Sequence, residues 1–384
     1  MEVLNKKKVV HLSTVHHPFD TRIFHKECVS LAKAGYDVTL IVAVEDERQE
    51  EIIDDVKLVY IRKHSGRIKR MTLSAWKLYL RAKNEQATVY HFHDPELMWV
   101  GYLLKQKGNQ VIYDVHEDYL TAIQQKDYLS QGIKRIVSGI YKKVEVFFTK
   151  KMAYCLAEKY YQELYPKGQQ ILNYPILNEK VLQRPISVPE NKHVIYTGNV
   201  TEVRGAYLHA QIPKFITGAH VYFYGKTDND VANRMEQEAS GLSHHLHVTG
   251  RGHYVNREII DEAYATGKYL AGMAIFPKSD HYLRKELTKF FEYMTAGIPI
   301  VCSNFPVWES FIKKYNCGLV VDPNDPPSWG KALDKLMNNH TLYIELASNG
   351  RQAVIEKLNW ENEADKLIQW YEQLINEKEV VRDE

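Results

Sequence analysis

The chain is poor in cysteine: four among 384 residues, at Cys28, Cys155, Cys302 and Cys317, with no two in a CxxC spacing. That scarcity excludes a disulfide-stapled scaffold and a cysteine-ligated zinc module, and it suits thiols kept reduced inside a cell. No apolar run approaches the roughly 18 residues that cross a bilayer. Behind the basic residues of MEVLNKKKVVHLS stands only a short strand-like run, too brief for the apolar region of a signal peptide. The expectation is a cytoplasmic protein. Net charge is also small, +2 from 50 Lys plus Arg against 48 Asp plus Glu, which argues against bulk nucleic-acid binding. Missing too are GxGxxG, the P-loop signature and GxSxG, so dinucleotide, kinase-type and nucleophile-elbow chemistry lose their motifs.

What is present is alternation. VVHLS, DVTLIVAV, KLVYIRK, TVYHFH and QVIYDVH read as short strands, separated by helical stretches such as FHKECVSLAKAG and PELMWVGYLLKQKG. This is the rhythm of βαβ units on a parallel sheet. It breaks over residues from about 128 to 167, which read as continuously helical, and then across ILNYPILNEKVLQRPISVPENK, whose prolines mark a linker. It restarts at HVIYTGNV and runs through HVYFYG, HLHVTG, LAGMAIFP, IPIVCS and GLVVDP. The predicted organisation is α/β throughout. A Rossmann-like domain covers residues 1–172, a linker 173–190, a second Rossmann-like domain 191–358, and a C-terminal helix with a frayed tail 359–384, the helix packing back on the first domain.

In doubly wound sheets ligands bind beyond the carboxyl ends of the strands, so a cleft between the two domains is the expected site. Polar residues do collect there: VHHPFDTRIFHKE, DPE and HED follow strands in the first half, and TGNVTEVRG, GKTDND, GRGHY and PKSDHYLRKEL follow strands in the second. His91 and His93 form an HxH with His116 as a third candidate ligand. No acid completes the set at a compelling spacing, and the expectation is that no metal binds. Arg204 beside Gly205 reads either as a surface arginine or as a grip on a diphosphate at a helix start. In LTKFFEYMTAGIPIV the apolar stripe Leu287, Phe290, Phe291 and Met294 leaves Glu292 pointing elsewhere, either to solvent or to a ligand. Residues 61–83 carry eight Lys or Arg and no acid among Met71, Leu73, Trp76, Leu78 and Leu80, a composition for peripheral contact with an anionic membrane.

HHPFDTRIFHKECVSLAKAGYDVTLI, VYHFHDPELMWVGYLLKQKG, VIYDVHEDY, YTGNVTEVRG and KFFEYMTAGIPIV, in this order, resemble the retaining glycosyltransferases of family 4, which have the GT-B fold. The resemblance implies transfer of a sugar from a nucleotide-diphosphate sugar, a UDP-sugar first among them, to a glycan or lipid-linked acceptor. The pathway it implies is cell-surface polysaccharide synthesis, with no cofactor and no metal. It places the donor in the second domain. Glu292 matches the glutamate that meets the ribose hydroxyls. The partner glutamate is replaced by Arg284, with Glu286 and Thr288 nearby. Arg204 matches one of two diphosphate-holding cations, in a loop with Gly198 and Gly205. Asn199 stands where the other is expected, so Lys289, Lys226 and Arg251, in that order, are the substitutes. In the first domain the resemblance implies a catalytic role for His93 beside the reacting sugar, and acceptor-side roles for His17, Asp20, Arg22, Asp94, His116 and Glu117. Arg204 and Lys289 complete the expected catalytic set. A nucleotide-sugar 2-epimerase and a non-catalytic sugar-nucleotide binder are the alternative readings.

Overall fold

The computed structural model describes residues 6–46, 48–116, 130–267 and 269–383. The chain divides into two compact units, Met1–Asn173 with Trp360–Glu384, and Tyr174–Asn359.

The first unit carries β1 (Lys8–Ser13), α1 (residues 21–33), β2 (Asp37–Val44), β3 (Glu51–Ile53), β4 (Val56–Arg62), α2 (residues 67–85), β5 (Val89–Phe92), α3 (residues 95–104), β6 (Gln110–Val115), α4 (Gln131–Thr149), β7 (Ala153–Leu156) and β8 (Gln169–Gln170). The sheet order is β3-β4-β2-β1-β5-β6-β7-β8, parallel except for β3 against β4. Strand order reverses between β1 and β5, which makes their carboxyl ends the switch point of this sheet.

Side chains alternate across the sheet with period two. One face is apolar: Val10, Leu12, Tyr90, Phe92 and Tyr113 pack under α2 and α3. On the other face Val9, Val89, Ile112 and Cys155 join a cluster with Ile23, Phe24 and Leu31 of α1. His11 and His91 share that face, in register across β1 and β5.

The second unit repeats the plan with β9 (His193–Thr197), α5 (Ala206–Ala210), β10 (His220–Thr227), α6 (Asn229–Glu238), β11 (Leu246–Arg251), α7 (Arg257–Ala265), β12 (Ala271–Ala274), α8 (Thr288–Thr295), β13 (Ile300–Ser303), α9 (Pro306–Tyr315), β14 (Gly318–Val321), α10 (Pro326–Asn338) and α11 (His340–Glu356). Its six strands run parallel in the order β11-β10-β9-β12-β13-β14, with the switch point between β9 and β12. Together the two units form the GT-B class of fold.

The structure corrects the single helix expected over residues 128 to 167. It holds α4, then the strand β7, then a tight turn at Lys159–Glu163, with the short strand β8 just beyond. AYCL is an apolar run of strand length between two helical patterns, and periodicity alone cannot tell such a run from buried helix. α4 also turns apolar residues outward: Ile133, Ile136, Val137, Ile140, Val144 and Phe147 are all exposed, among Arg135, Lys142, Lys143, Lys150 and Lys151.

The final helix, α12 (Trp360–Asp383), belongs to the first unit, where Trp360, Leu367, Trp370, Tyr371 and Ile375 complete the α1-side cluster. The Trp360 indole N–H donates to Ser30 Oγ at 2.9 Å, and Glu363 Oε2 accepts from the Leu172 N–H at 2.8 Å. Burying one such side chain is worth about 1.5–3 kcal/mol, so five rival the whole stability of an ordinary domain. Ending the chain at Asn359 is therefore expected to leave the first unit unfolded and insoluble. Limited proteolysis of the shortened chain checks this, and a protease-resistant first unit would contradict it.

Candidate functional site

Each switch point carries polar machinery of its own. In the first unit the centre is Asp114, the residue beyond Tyr113 on the polar face of β6. Arg22 of α1 meets it with two hydrogen bonds, Nε to Oδ2 at 2.9 Å and Nη2 to Oδ1 at 2.8 Å, and donates from Nη1 to the Ile171 carbonyl at 3.1 Å. His93 Nδ1 and His116 Nδ1 each lie 3.0 Å from Asp114 Oδ2. Burial works to raise this carboxyl, but the Arg22 guanidinium and the two histidines outweigh it and hold it well below the usual range. Behind it stands Glu27, fully buried. Its Oε1 lies 3.1 Å from Arg22 Nη2, yet neither oxygen accepts a hydrogen bond among the described residues. Burial, reinforced by Asp114, pushes the Glu27 carboxyl well up.

This geometry corrects several expected roles. Arg22 is 4% exposed and its guanidinium is engaged by Asp114, Ile171 and Glu27, so it cannot meet a phosphate or an acceptor. Asp20 caps α1, accepting from the Arg22 and Ile23 N–H groups at 2.8 and 3.0 Å. Asp94 is buried and organises the loop after β1, accepting from the Thr14 N–H at 2.5 Å and the Ser13 hydroxyl at 3.0 Å. His93 is 1% exposed with both ring nitrogens engaged, Nε2 lying 3.0 Å from His11 Nδ1. Burial takes its pKa down to about 3, against the pull of Asp114. In this structure the ring reaches no solvent and serves to position Asp114 and His11. The reason is the alternation itself: His93 continues the face on which α1 lies.

His17 is exposed, its Nδ1 accepting from the Phe19 N–H at 3.2 Å. Glu117 lies outside the described residues. The histidines that both reach solvent and join the polar network of this switch point are His116 and its neighbour His16, whose Nε2 atoms are 3.0 Å apart. His16 also stands 3.3 Å from Asp94 Oδ1 and 3.6 Å from Asp20 Oδ2. Sequence reasoning chose His17 of this adjacent pair, and only the loop geometry selects His16.

In the second unit three glycines lie at the ends of adjacent strands. Gly198 follows β9, Gly225 interrupts β10 and Gly250 lies near the end of β11. A Cβ on Gly225 would sit 2.0 Å from the Gly198 carbonyl oxygen. Gly205 has φ 76°, and a Cβ there would sit 1.9 Å from the Ile275 carbonyl oxygen after β12. Only glycine fits. This close approach brings the loop over the switch point, where Arg204 Nη1 and Lys289 Nζ both flank Gly198. Arg204 Nε donates to the Tyr282 hydroxyl at 3.2 Å. Lys289, in the first turn of α8, lies over the Tyr196 ring at 4.7 Å and the Phe276 ring at 5.4 Å. Burial pushes its ammonium down to about 7, helped by Arg204 beside it and opposed by Glu292.

Of the substitute cations, Lys289 is thus the one beside Arg204. Arg251 instead turns to α6, bonded to Glu236 at 2.7 Å and to Asn233. Lys226 stands 3.7 Å from Asp228 and over the Tyr254 ring. Asn199 contributes its carbonyl oxygen to the Tyr196 hydroxyl at 3.0 Å. Glu286 precedes α8, and Thr288 opens it with an exposed side chain. Glu292 is partly buried and its carboxylate is already engaged. Its carboxylate accepts from Arg257 Nη1, from the Tyr264 hydroxyl at 3.1 Å and from Thr197 Oγ1 at 3.3 Å. Arg257, Tyr264 and Tyr282 were not anticipated; each comes from an element remote in sequence from the residue it holds.

Comparison with known proteins follows the two units. Residues 21–158 match the Glycosyltransferase Family 4 model, and residues 216–353 match the model of Glycosyl transferases group 1. D-inositol 3-phosphate glycosyltransferase of Corynebacterium urealyticum is 29% identical over 83 residues, 22% of this chain and 19% of that protein. The chain spans about a fifth to about half the length of the curated relatives it matches. Among solved structures, sucrose-phosphate synthase from Thermosynechococcus elongatus superposes with a TM-score of 0.72 at 17% identity, covering 97% of this chain and 100% of that one. Anabaena HepE in complex with UDP superposes with a TM-score of 0.70 at 10% identity, covering 96% and 100%.

His93→Ala removes a buried ring that holds both Asp114 and His11. A loss of about 2–4 kcal/mol in folding stability is expected, the cost of stranding buried polar partners. Urea denaturation measures it, and an unchanged midpoint would mean the imidazole holds nothing together.

Proposed function

We propose that this chain, which belongs to the glycosyltransferases of family 4, is a retaining enzyme that moves a sugar from a nucleoside-diphosphate donor, a UDP-sugar first, to a glycan or lipid-linked acceptor. Surface polysaccharide synthesis is the proposed setting. The observation that carries the reading is the convergence of Arg204 and Lys289 on Gly198. As the bond from the anomeric carbon to the diphosphate breaks, negative charge grows on the leaving oxygens. Two fixed cations and the backbone of a glycine turn can neutralise it. The acceptor hydroxyl then bonds to the same carbon from the same face and passes its proton to the departing phosphate, so no protein carboxylate need act as nucleophile and no metal is required. Glu292, pre-positioned by Tyr264, Thr197 and Arg257, offers its carboxylate to the ribose hydroxyls.

Arg204→Ala is expected to lower turnover about 100-fold or more, since charge placed at a developing anion is worth roughly 3 kcal/mol. Sugar-nucleotide consumption against candidate acceptors reads this out. Before any acceptor is known, the melting temperature decides the class: a nucleoside diphosphate at 100 times its dissociation constant adds about 2.7 kcal/mol. No shift with any nucleoside diphosphate or nucleotide sugar would overturn the proposal.

Lys289 supplies the pH dependence. Its folded-state pKa of about 7 means that the free protein loses this positive charge as pH rises through that value. Diphosphate binding favours the protonated form, so affinity should fall as pH rises above 7, with a proton taken up on binding. Calorimetry of UDP binding in buffers of different ionisation enthalpy is the measurement. Lys289→Met should abolish the proton uptake, and uptake that persists in the variant would place the titrating group elsewhere.

The first unit offers a surface for a lipid-linked acceptor. α3 packs between α2 and α4. Ile68, Leu73, Trp76 and Leu80 of α2 and the outward apolar row of α4 are exposed among lysines and arginines, while Leu78 is buried in the core. An amphipathic basic face of this kind suits an anionic membrane. Arg70 is held by Glu96 at 2.8 Å, so Arg67, Lys69 and Lys77 are the cations to test. Their reversal to Glu, or Ile136→Glu with Ile140→Glu, should release the protein from phosphatidylglycerol vesicles in flotation. Wild type that ignores such vesicles at low salt refutes the surface assignment.

A further inference from the structure

Apart from the transfer site, the covered face of the first unit gathers four donors of metal-binding type. His11 Nδ1 and His93 Nε2 are 3.0 Å apart. Glu27 Oε2 stands 3.8 Å from His11 Nδ1, 3.8 Å from His91 Nδ1 and 3.9 Å from His93 Nε2. One donor atom from each residue lies within 4.8 Å of every other, and all four side chains are buried. A tetrahedral site with bonds of about 2.0–2.1 Å spaces its donors about 3.3 Å apart, so modest side-chain adjustment closes this set around an ion.

Two further observations point to a ligand. Both oxygens of the fully buried Glu27 lack a hydrogen bond among the described residues. A buried carboxylate left in that state is costly unless something cationic or a donor meets it. Arg22, 3.1 Å from Oε1, meets one side and leaves Oε2 facing the three imidazoles. The outer contacts are also those of a metal-bound histidine. His93 Nδ1 lies 3.0 Å from Asp114 Oδ2, which fixes Nε2 as the lone-pair nitrogen. The Tyr371 hydroxyl lies 2.7 Å from His91 Nδ1 and 3.5 Å from His11 Nε2. When His91 Nδ1 takes the ion, that hydroxyl turns to accept from His11 Nε2–H.

We propose that His11, Glu27, His91 and His93 bind one divalent transition-metal ion, zinc foremost, in a closed structural site. Three imidazoles and a carboxylate without thiolate suit zinc, cobalt or nickel and disfavour soft ions. Four protein ligands leave no open position, so the ion has no part in sugar transfer. Its effect is to tie β1, α1 and β5 together beneath α12. The inference stands apart from the glycosyltransferase reading and revises the expectation of a metal-free protein.

The full chain, produced without a histidine tag in zinc-supplemented medium and purified without chelator, is the material for elemental analysis. One zinc per chain is expected, with apparent stability falling when a strong chelator removes it. Glu27→Gln and His11→Asn should each reduce the content to background. Cobalt in place of zinc should give the visible absorption of a tetrahedral site. The histidines of the second unit are the control, since His220 and His247 stand 2.9 Å apart on a partly exposed edge. His220→Ala with His247→Ala should leave the metal in place. Wild type without zinc, without a cobalt band and without a thermal shift on adding zinc overturns the proposal. So does metal lost only with the second-unit pair. Should Glu27→Gln fail to fold, wild-type content and the cobalt spectrum still decide.

Discussion

The Arg22–Asp114 ion pair is the constraint on which the first unit's polar face depends. Isolated, either charge would be untenable at that depth, because ionic desolvation costs several kcal/mol per group. Paired through two hydrogen bonds, they give the neighbouring groups fixed partners. His93 and His116 take their orientation from the same carboxylate oxygen. Arg22 in turn binds the carbonyl of Ile171, just past the last strand. One guanidinium thereby relates α1, β6 and the segment after β8, and the loop carrying His16 is held against it through His116.

The second unit solves a different problem, holding two cations side by side with no anion among the described residues paired to both. Backbone proximity at Gly205 and Gly225 fixes the loops, so the cations need no flexible search. Aromatic faces under Lys289 offset part of the cost of its burial. Burial and the neighbouring Arg204 bring the Lys289 ammonium down to about 7, so the pair carries less than two full charges near neutral pH.

Much of the architecture was legible because strand and helix periodicities differ and because polar clusters followed strands. Period two correctly put His91 and His93 on one face, yet it is silent on whether that face is covered. The cover is α1 together with α12, and the latter comes from more than 260 residues further along the chain. His93 and Arg22, expected beside the substrate, lie under that cover in this structure. Glu292 shows the same limit on a helix. α8 lies against α11 and the sheet and is buried nearly all round, so the side opposite the apolar stripe is not a solvent side. Its partner Arg257 sits on another helix and left no local signal. Lys289 was within reach because it shares a short segment with Glu292, whereas Arg251, equally cationic, is drawn off by an acid on a different element.

The route of the chain has a consequence for how the protein is made. The second unit, Tyr174–Asn359, is an insertion between two parts of the first. During synthesis the ribosome delivers all of the inserted unit before Trp360 and Tyr371 emerge to close the α1-side cluster. Domains fold as units while the chain lengthens. The unit that begins later therefore finishes earlier, and the first sheet waits with its α1-side face only partly covered until the last helix arrives.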